Sequence, residues 1–466
     1  MSSPSSHKLH REHSVVTRML PVDPSSISFV EDPISQNQEP STSSTSSAID
    51  TCTPHITSQE TLDSLNTAAR HLSVTREPVA FPTETVYGLG AIVTPDSTAA
   101  VKRIYELKGR PSDNPLIVHI SSLKMLREQV LPDQGITIPR MYEVLMKAFW
   151  PGPLTLLFPA HSPSSTSPTA GDSSSLQHQS SSKIPPVVTA NHPTVAVRMP
   201  SHPIARALIA LTNIPLAAPS ANSSGRPSPT KAEHVFKDLN GKVGIILDDG
   251  ASSQVGLEST VVDGLNVDGH LRVLRPGGVT VEDIRRVLDE NGMREDEVKV
   301  LVHKRDYRDD EQESAPTTPG MKYRHYSPTV PVVLLVPSTE SSSPSNSGDG
   351  TADKLHVTES VRAVLDSLIS RFEPTQNITL GLLLTSDSAL LDPIQSITTQ
   401  IHPLGARLAP NVTAQRLFDG LLTLDNDGVD LILVESIDEV REGLAVMNRV
   451  RKAAGEVRRV DVSGGC

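Results

Sequence analysis

The chain has 466 residues, enough for two or three domains with cores of their own, and its 42 Lys and Arg stand against 54 Asp and Glu, a formal net charge of −12. That balance argues against a surface that binds nucleic acid over its whole extent and leaves only a local basic patch open. The two cysteines, Cys52 and Cys466, form no CxxC pair, which argues against a disulfide framework or a cysteine zinc site and fits a reducing compartment, and no run of about 18 apolar residues marks a transmembrane helix.

Residues 1–58 read as a disordered N-terminal extension. Its first twenty residues are Ser-rich, with Lys8, Arg11 and Arg18 against Glu12, in the manner of a mitochondrial transit peptide, but the apolar face is poor. A cytoplasmic location is expected, with a minor mitochondrial form as the alternative. Segments 31–58, 160–186, 306–319 and 338–354 are rich in Ser, Pro, Thr, Gly or acid and short of large apolar residues, so burial cannot offset their ordering entropy. The tract 160–186 falls between two well-patterned blocks and reads as a disordered insertion in one domain. The expected plan is a first domain over 59–305, a linker over 306–329 and a second domain over 330–466.

In the first domain VAFPT, PLIVHI, LTLLFPA, TVAVRMP, GIILDDG and STVVDG read as short strands bounded by Gly, Pro or Asp. Ala99 to Leu107 reads as a helix. A second helix follows Ser201, a candidate N-cap, with Pro203 in its first turn and Ala205, Leu208, Ile209 and Thr212 on one face. Thr280 with Asp283 resembles a capping box before Ile284, Val287 and Leu288. The second domain is more regular. VPVVLLVP, ITLGLLL and VDLILVE are continuous apolar strands, and helical spacing marks residues 359–372, the stretch from Ala414 to Leu422, and Gly443 to Ala454. Such alternation predicts a parallel sheet covered on both faces, a small Rossmann-like domain. It lacks a GxGxxG turn, so no dinucleotide is inferred.

The chain has no GxSxG elbow, P-loop, HExxH or reactive-Cys motif, so chemistry here has to rest on positioning and charge neutralisation. In FPTETVYGLG an apolar strand delivers Thr83, Glu84 and Thr85 into a turn closed by Gly88 and Gly90; the plain alternative is an ordinary capped turn. KGRPSDNPLIVHI presents Lys108, Arg110, Asn114 and His119. The two cations also fit a solvated helix C-terminus, and the histidine also fits a core. Arg198 lies in the apolar strand TVAVR, where a buried guanidinium needs an anionic ligand or a structural carboxylate. APSANSSGRPSPT gathers Ala218, Ser220, Asn222, Ser223, Ser224, Gly225 and Ser228 in a loop able to approach a phosphate closely, or simply a flexible one. GLEST places Ser259 at a strand entry, and RPGG places Arg275 before a helix N-terminus, an anion site or a plain turn.

Taken in this order, with WPGPLTLLF, LRPGG and TPGMKYRHYSP, these motifs resemble the threonylcarbamoyl-AMP synthase family, the YrdC-like enzymes. The resemblance covers about 60–305 outside the Ser-rich insertion, and LGARLAP, LFDGL, GVDLILVE and GLAVMNRVRKAA extend it to the longer, two-domain form. It implies an open, twisted α/β catalytic domain with a concave, positively charged face and a smaller Rossmann-like C-terminal domain, joined by a linker over the active site.

The resemblance further implies that L-threonine, bicarbonate or CO2 and ATP combine into threonylcarbamoyl-adenylate with release of pyrophosphate. By the same resemblance Thr85, His119, Arg198, Ala218 and Ser259 hold L-threonine, and Arg110, Asn114, Thr194, Ser220, Ser228 and Arg275 hold the nucleotide. Lys108 and Arg110 neutralise developing charge, and Tyr323, His325 and Tyr326 belong to the closing linker. Mg2+ is expected only with ATP, with no metal site of the chain's own. The product goes to a separate tRNA threonylcarbamoyl transferase complex, with contact to tRNA weak or indirect and none to a membrane. The competing reading is an RNA-binding module without catalysis. A carbamoyl-transfer enzyme of hydrogenase maturation is a third, for which the zinc-finger cysteines are missing.

Overall fold

The computed structural model describes residues 15–30, 49–133, 136–161, 182–307, 325–338, 359–373, 376–394 and 399–462. Tyr323, Cys466 and most of the Ser-rich tract 160–186 lie outside them. The first domain is built on one 11-stranded mixed sheet. Across it the strands run Arg18–Pro21, Ile245–Asp248, Val79–Phe81, Gly88–Ile92, Leu216–Ala217, Ile117–His119, Thr194–Arg198, Leu154–Pro159, Thr260–Asp263, Leu271–Arg275 and Val300–Val302. All six strands expected from the sequence are among them. Helices Gln59–Arg70, Thr98–Lys108, Arg140–Phe149, Pro203–Thr212 and Val281–Glu290 pack their apolar stripes on this sheet in one continuous core.

The N-terminal segment is not a disordered extension throughout. Arg18–Pro21 adds a parallel edge strand beside Ile245–Asp248, and Ile27–Val30 pairs antiparallel with Thr53–Ile56. Val22 and Ile27 are buried in the main core, and the backbone N–H of Asp23 donates to Thr61 Oγ1 at 2.9 Å. Four-residue strands this short show too few alternating positions to stand out by pattern, and their pairing partners are remote in sequence.

Gly88 and Gly90 do not close a turn; they open the strand Gly88–Ile92, antiparallel to Val79–Phe81. The Phe81 ring covers both glycines. A Cβ on Gly90 would sit 2.6 Å from Phe81 Cε1, so the missing side chains make room for the ring. Ser201 is not the N-cap of the helix Pro203–Thr212. His202 holds that position with no side-chain cap, and Pro203 at the first position supplies the fixed φ instead. Thr280 caps as expected: its Oγ1 accepts from the Asp283 N–H at 3.1 Å and donates to the Asp283 carboxylate at 2.6 Å.

The second domain is the expected parallel sheet, six strands in the order Glu359–Ser360, Glu456–Asp461, Val332–Ser338, Leu431–Glu435, Leu380–Leu383 and Thr399–Ile401. Helices Val361–Ile369, Pro410–Asp427 and Glu442–Ala453 cover it. The strand Glu456–Asp461 escapes the sequence reading because its arginines keep it half-exposed. The domains share an apolar seam: Val86 and Leu257 of the first domain join Tyr326, Leu417 and Phe418 in one buried cluster. No helix among the described residues is long and apolar enough to cross a membrane.

Candidate active site

The cavity opens where the C-terminal ends of two parallel strands lie side by side, with His119 registered opposite Arg198. Apolar strands bring both polar side chains to the same edge because each ends its strand there. Burial, and next the Arg198 charge, push His119 down to about 3, so its imidazole is neutral. Arg198 is nearly enclosed. It donates to Glu84 Oε1 at 2.6 Å, to Thr85 Oγ1 at 2.8 Å and to the Gly152 carbonyl at 3.3 Å. Of the two partners left open by the sequence, the structure supplies the carboxylate of Glu84. The remaining N–H groups of this fork still border the hollow.

Thr83 spends its hydroxyl on the turn itself, donating to the Val86 carbonyl at 2.6 Å, while Thr85 lines the cavity. Lys108 is the last residue of its helix, which Gly109 ends at φ +59°. It is not solvated: the residue is 4% exposed and its ammonium donates to the carbonyls of Ser220 and Asn222, drawing the Ser-rich loop over the cavity. Burial, then the neighbouring Arg110, hold its pKa well below the ordinary value. Arg110 donates to the carbonyls of Asn114 at 3.2 Å and Pro115 at 3.0 Å, and burial lowers it to about 10.

On the opposite wall Arg275 donates to the Ser259 carbonyl at 2.9 Å and to Ser259 Oγ at 3.2 Å, and Ser259 Oγ lies 2.8 Å from Thr155 Oγ1. The RPGG turn presses on this strand entry: a Cβ on Gly277 would lie 2.3 Å from the Glu258 carbonyl oxygen. Ala218, Ser220 and Ser228 complete the loop side, and His325 and Tyr326 of the linker form the roof. Burial, with Arg110 next, lowers His325 to about 4. The space between them, open solvent included, measures about 660 Å³.

Twelve residues named from the sequence as binding, charge-neutralising or lid groups thus come together: Thr85, Lys108, Arg110, His119, Arg198, Ala218, Ser220, Ser228, Ser259, Arg275, His325 and Tyr326. Asn114 and Thr194 do not line this hollow. Asn114 is buried beneath Arg110, with its carbonyl taken by Arg110 and the Tyr105 hydroxyl. Thr194 begins the strand that Arg198 ends, about 13 Å away at 3.3 Å per residue.

The sequence reading also missed lining groups. Val86, Ile117, Pro219 and Arg226 border the cavity, as does Glu258, whose only local signal was its place beside Ser259 in GLEST. Burial raises the Glu258 pKa, but the charges of Arg449 and Arg275 outweigh it and leave the carboxyl at about 2. Among the described residues no group of three or more His, Cys, Asp or Glu side chains is arranged to hold a metal ion.

Fold and cavity define an α/β protein whose polar, cation-lined cleft is roofed by His325 and Tyr326 of the linker that leads to a second, Rossmann-like domain. The family model described as telomere recombination, named for Sua5, YciO and YrdC, matches residues 75–277, and the model described as threonylcarbamoyl-AMP synthase, C-terminal domain, matches residues 279–455. The chain is 40% identical over 420 residues to a threonylcarbamoyl-AMP synthase of Schizosaccharomyces pombe, covering 85% of this chain and 90% of that one. It is 39% identical over 379 residues to the Bacillus subtilis protein of the same name, covering 81% and 90%. A solved structure, Pyrococcus abyssi Sua5 complexed with L-threonine, superposes with a TM-score of 0.63 at 37% identity, over 85% of this chain and 96% of that one. The chain belongs to the threonylcarbamoyl-AMP synthase family, in its two-domain form.

Proposed function

We propose that the cavity converts L-threonine, bicarbonate or CO2 and ATP into threonylcarbamoyl-AMP and pyrophosphate, for the threonylcarbamoyl modification of tRNA. One observation carries this reading. Lys108, Arg110, Arg198 and Arg275 converge with Thr85, Ser220 and Ser259 on a single buried hollow, in a chain 40% identical to a synthase over most of its length. Four cations exceed what one small amino acid needs and suit a triphosphate beside it.

The neutral amine of threonine attacks the carbon of CO2, forming the C–N bond while one C=O pair moves onto oxygen, and the nitrogen gives up a proton to water to leave a carbamate. A carbamate oxygen then attacks the α-phosphorus, and the bond to the β-phosphate oxygen breaks to release pyrophosphate. Arg198, held at one edge by Glu84, offers its remaining N–H groups to the threonine carboxylate, and Thr85 and Ser259 read its polar groups. His119 acts as a neutral hydrogen-bonding group. Lys108, Arg110 and Arg275 stabilise charge on the phosphates. Mg2+ would come with ATP, as part of the substrate complex. Carboxythreonine decays in water, so the roof of His325 and Tyr326 serves to exclude it. The product passes to a separate transferase complex in the cytoplasm.

The relatives favour this reading over an RNA-binding module. The deciding assay gives the purified protein ATP, bicarbonate and labelled threonine. Pyrophosphate release that depends on threonine is expected; release without that dependence, or tight tRNA binding without turnover, overturns the reading.

A further inference from the structure

Arg449 belongs to the last helix of the C-terminal domain, Glu442–Ala453, yet its side chain is spent on the catalytic domain. It is fully buried, at 0% exposure. Its Nε and one terminal nitrogen both donate to Glu258 Oε2 at 3.1 Å, and the other terminal nitrogen donates to the Pro276 carbonyl. Glu258 directly precedes Ser259, and Pro276 directly follows Arg275. One guanidinium therefore holds both sides of the contact in which Arg275 grips Ser259. The other oxygen of Glu258 accepts from Ser228 Oγ at 2.7 Å. The Tyr326 ring lies 5.8 Å from the Arg449 guanidinium and 5.2 Å from the Phe418 ring.

Glu258 is a carboxylate on the wall of a cavity that otherwise collects cations. Left bare it would repel the anionic end of a nucleotide far more than a zwitterionic amino acid. Arg275 offsets part of that charge from within the catalytic domain, and Arg449, the cation in direct contact with the Glu258 carboxylate, comes from the other domain. Resting on the synthase reading, we propose that Arg449 is a positioning residue of the nucleotide site. It neutralises Glu258 and fixes the Ser259 and Arg275 turns against each other, so that the ATP end of the cavity is complete only with the C-terminal domain docked.

The test compares Arg449→Met, Arg449→Lys and the double variant Glu258→Gln with Arg449→Met, all in the full chain. The KM for ATP and the KM for threonine are measured separately by pyrophosphate release. ATP affinity is also measured by titration calorimetry without threonine, which reads the pair even where turnover fails. Arg449→Met should weaken ATP by about tenfold or more, as expected for an uncompensated buried charge, and threonine much less. The double variant should recover most of that loss although it also lacks the ion pair. Arg449→Lys, which keeps the charge but not the fork that spans Glu258 and Pro276, should fall between the parent and Arg449→Met and remains readable if Arg449→Met does not fold. An unchanged ATP affinity in Arg449→Met, no recovery in the double variant, or a loss in Arg449→Lys as large as in Arg449→Met overturns the proposal. A parent protein without threonine-dependent release overturns the synthase reading instead.

Discussion

Arg198 and Glu84 form a buried ion pair, 2.6 Å between the guanidinium and Oε1, with both side chains 5% exposed. The second carboxylate oxygen of Glu84 is buried without a hydrogen-bond partner among the described residues. The pair joins the turn after the first buried strand to the strand that ends beside His119, so Arg198 orders the cavity as well as facing it.

Arg198→Ala therefore affects two measurements. Threonine-dependent turnover should disappear. The variant also strands Glu84 and should lower unfolding free energy by about 3–5 kcal/mol. Urea unfolding beside the activity assay separates the effects, and Arg198→Ala with Glu84→Gln should regain stability without regaining turnover. Activity that survives in either variant removes Arg198 from the site.

Gly256 sits at φ +72°, and a Cβ there would lie 2.4 Å from both the Cα and the carbonyl oxygen of Gln415 in the second domain. Backbone cannot yield as a flexible side chain does. Gly256→Ala should cost about 1–2 kcal/mol for the left-handed conformation alone and should also push the domains apart. Small-angle scattering should show a larger radius of gyration than the parent; an identical profile would mean that the interface absorbs the methyl group.

His119 and Glu258 contribute to the pH dependence of stability, beside other buried groups such as His325. His119 titrates at about 3 in the fold against an ordinary 6.5, so below pH 6.5 the unfolded chain takes up a proton that the folded chain refuses. Its contribution is complete above pH 6.5 and is lost as the pH falls toward 3, with a slope of up to about 1.4 kcal/mol per pH unit. Glu258 adds a second loss between its ordinary 4.5 and about 2. Denaturant midpoints measured from pH 7 to pH 4 should fall steadily in the parent and less steeply in His119→Asn. Parallel curves would show that His119 is not held neutral.

Truncations distinguish extension from fold. Removing residues 1–14 should leave stability near that of the parent. Removing residues 1–30 takes away the edge strand and the buried Val22 and Ile27, worth about 1.5–3 kcal/mol for each side chain. Thermal melting decides, and equal melting temperatures for the two truncations would contradict the packing of the edge strand.

The Ser-rich insertion has ends that meet: Ser182 Oγ donates to the Ala160 carbonyl at 2.8 Å, and Lys183 pairs with Asp133 at 2.6 Å. A deletion of 161–183 would cut into these contacts, so the informative deletion is 163–180. It should keep turnover within about twofold, since the entropy of closing a connection between fixed ends changes slowly with its length. A large loss would assign the tract a part in the pocket.

The sequence by itself determined the strands that are continuously apolar and the helices with an unbroken stripe, because periodicity and turn chemistry act between near neighbours. It also pointed to most of the cavity, not because Lys108, Arg198, Ser259 or Arg275 was decisive alone, each having a plain structural alternative, but because the motifs in their order resemble one family. Only the tertiary structure decided what those groups do to one another. Whether Lys108 is solvated or held by the Ser220 and Asn222 carbonyls depends on a loop 112 and 114 residues away. The partner of Glu258 is Arg449, 191 residues on and in another domain. Such pairings follow from how the two sheets dock, and no local pattern encodes them. Gly88 and Gly90 show the same limit: read locally they make a turn, and only the Phe81 ring across the ladder shows why a strand needs them there.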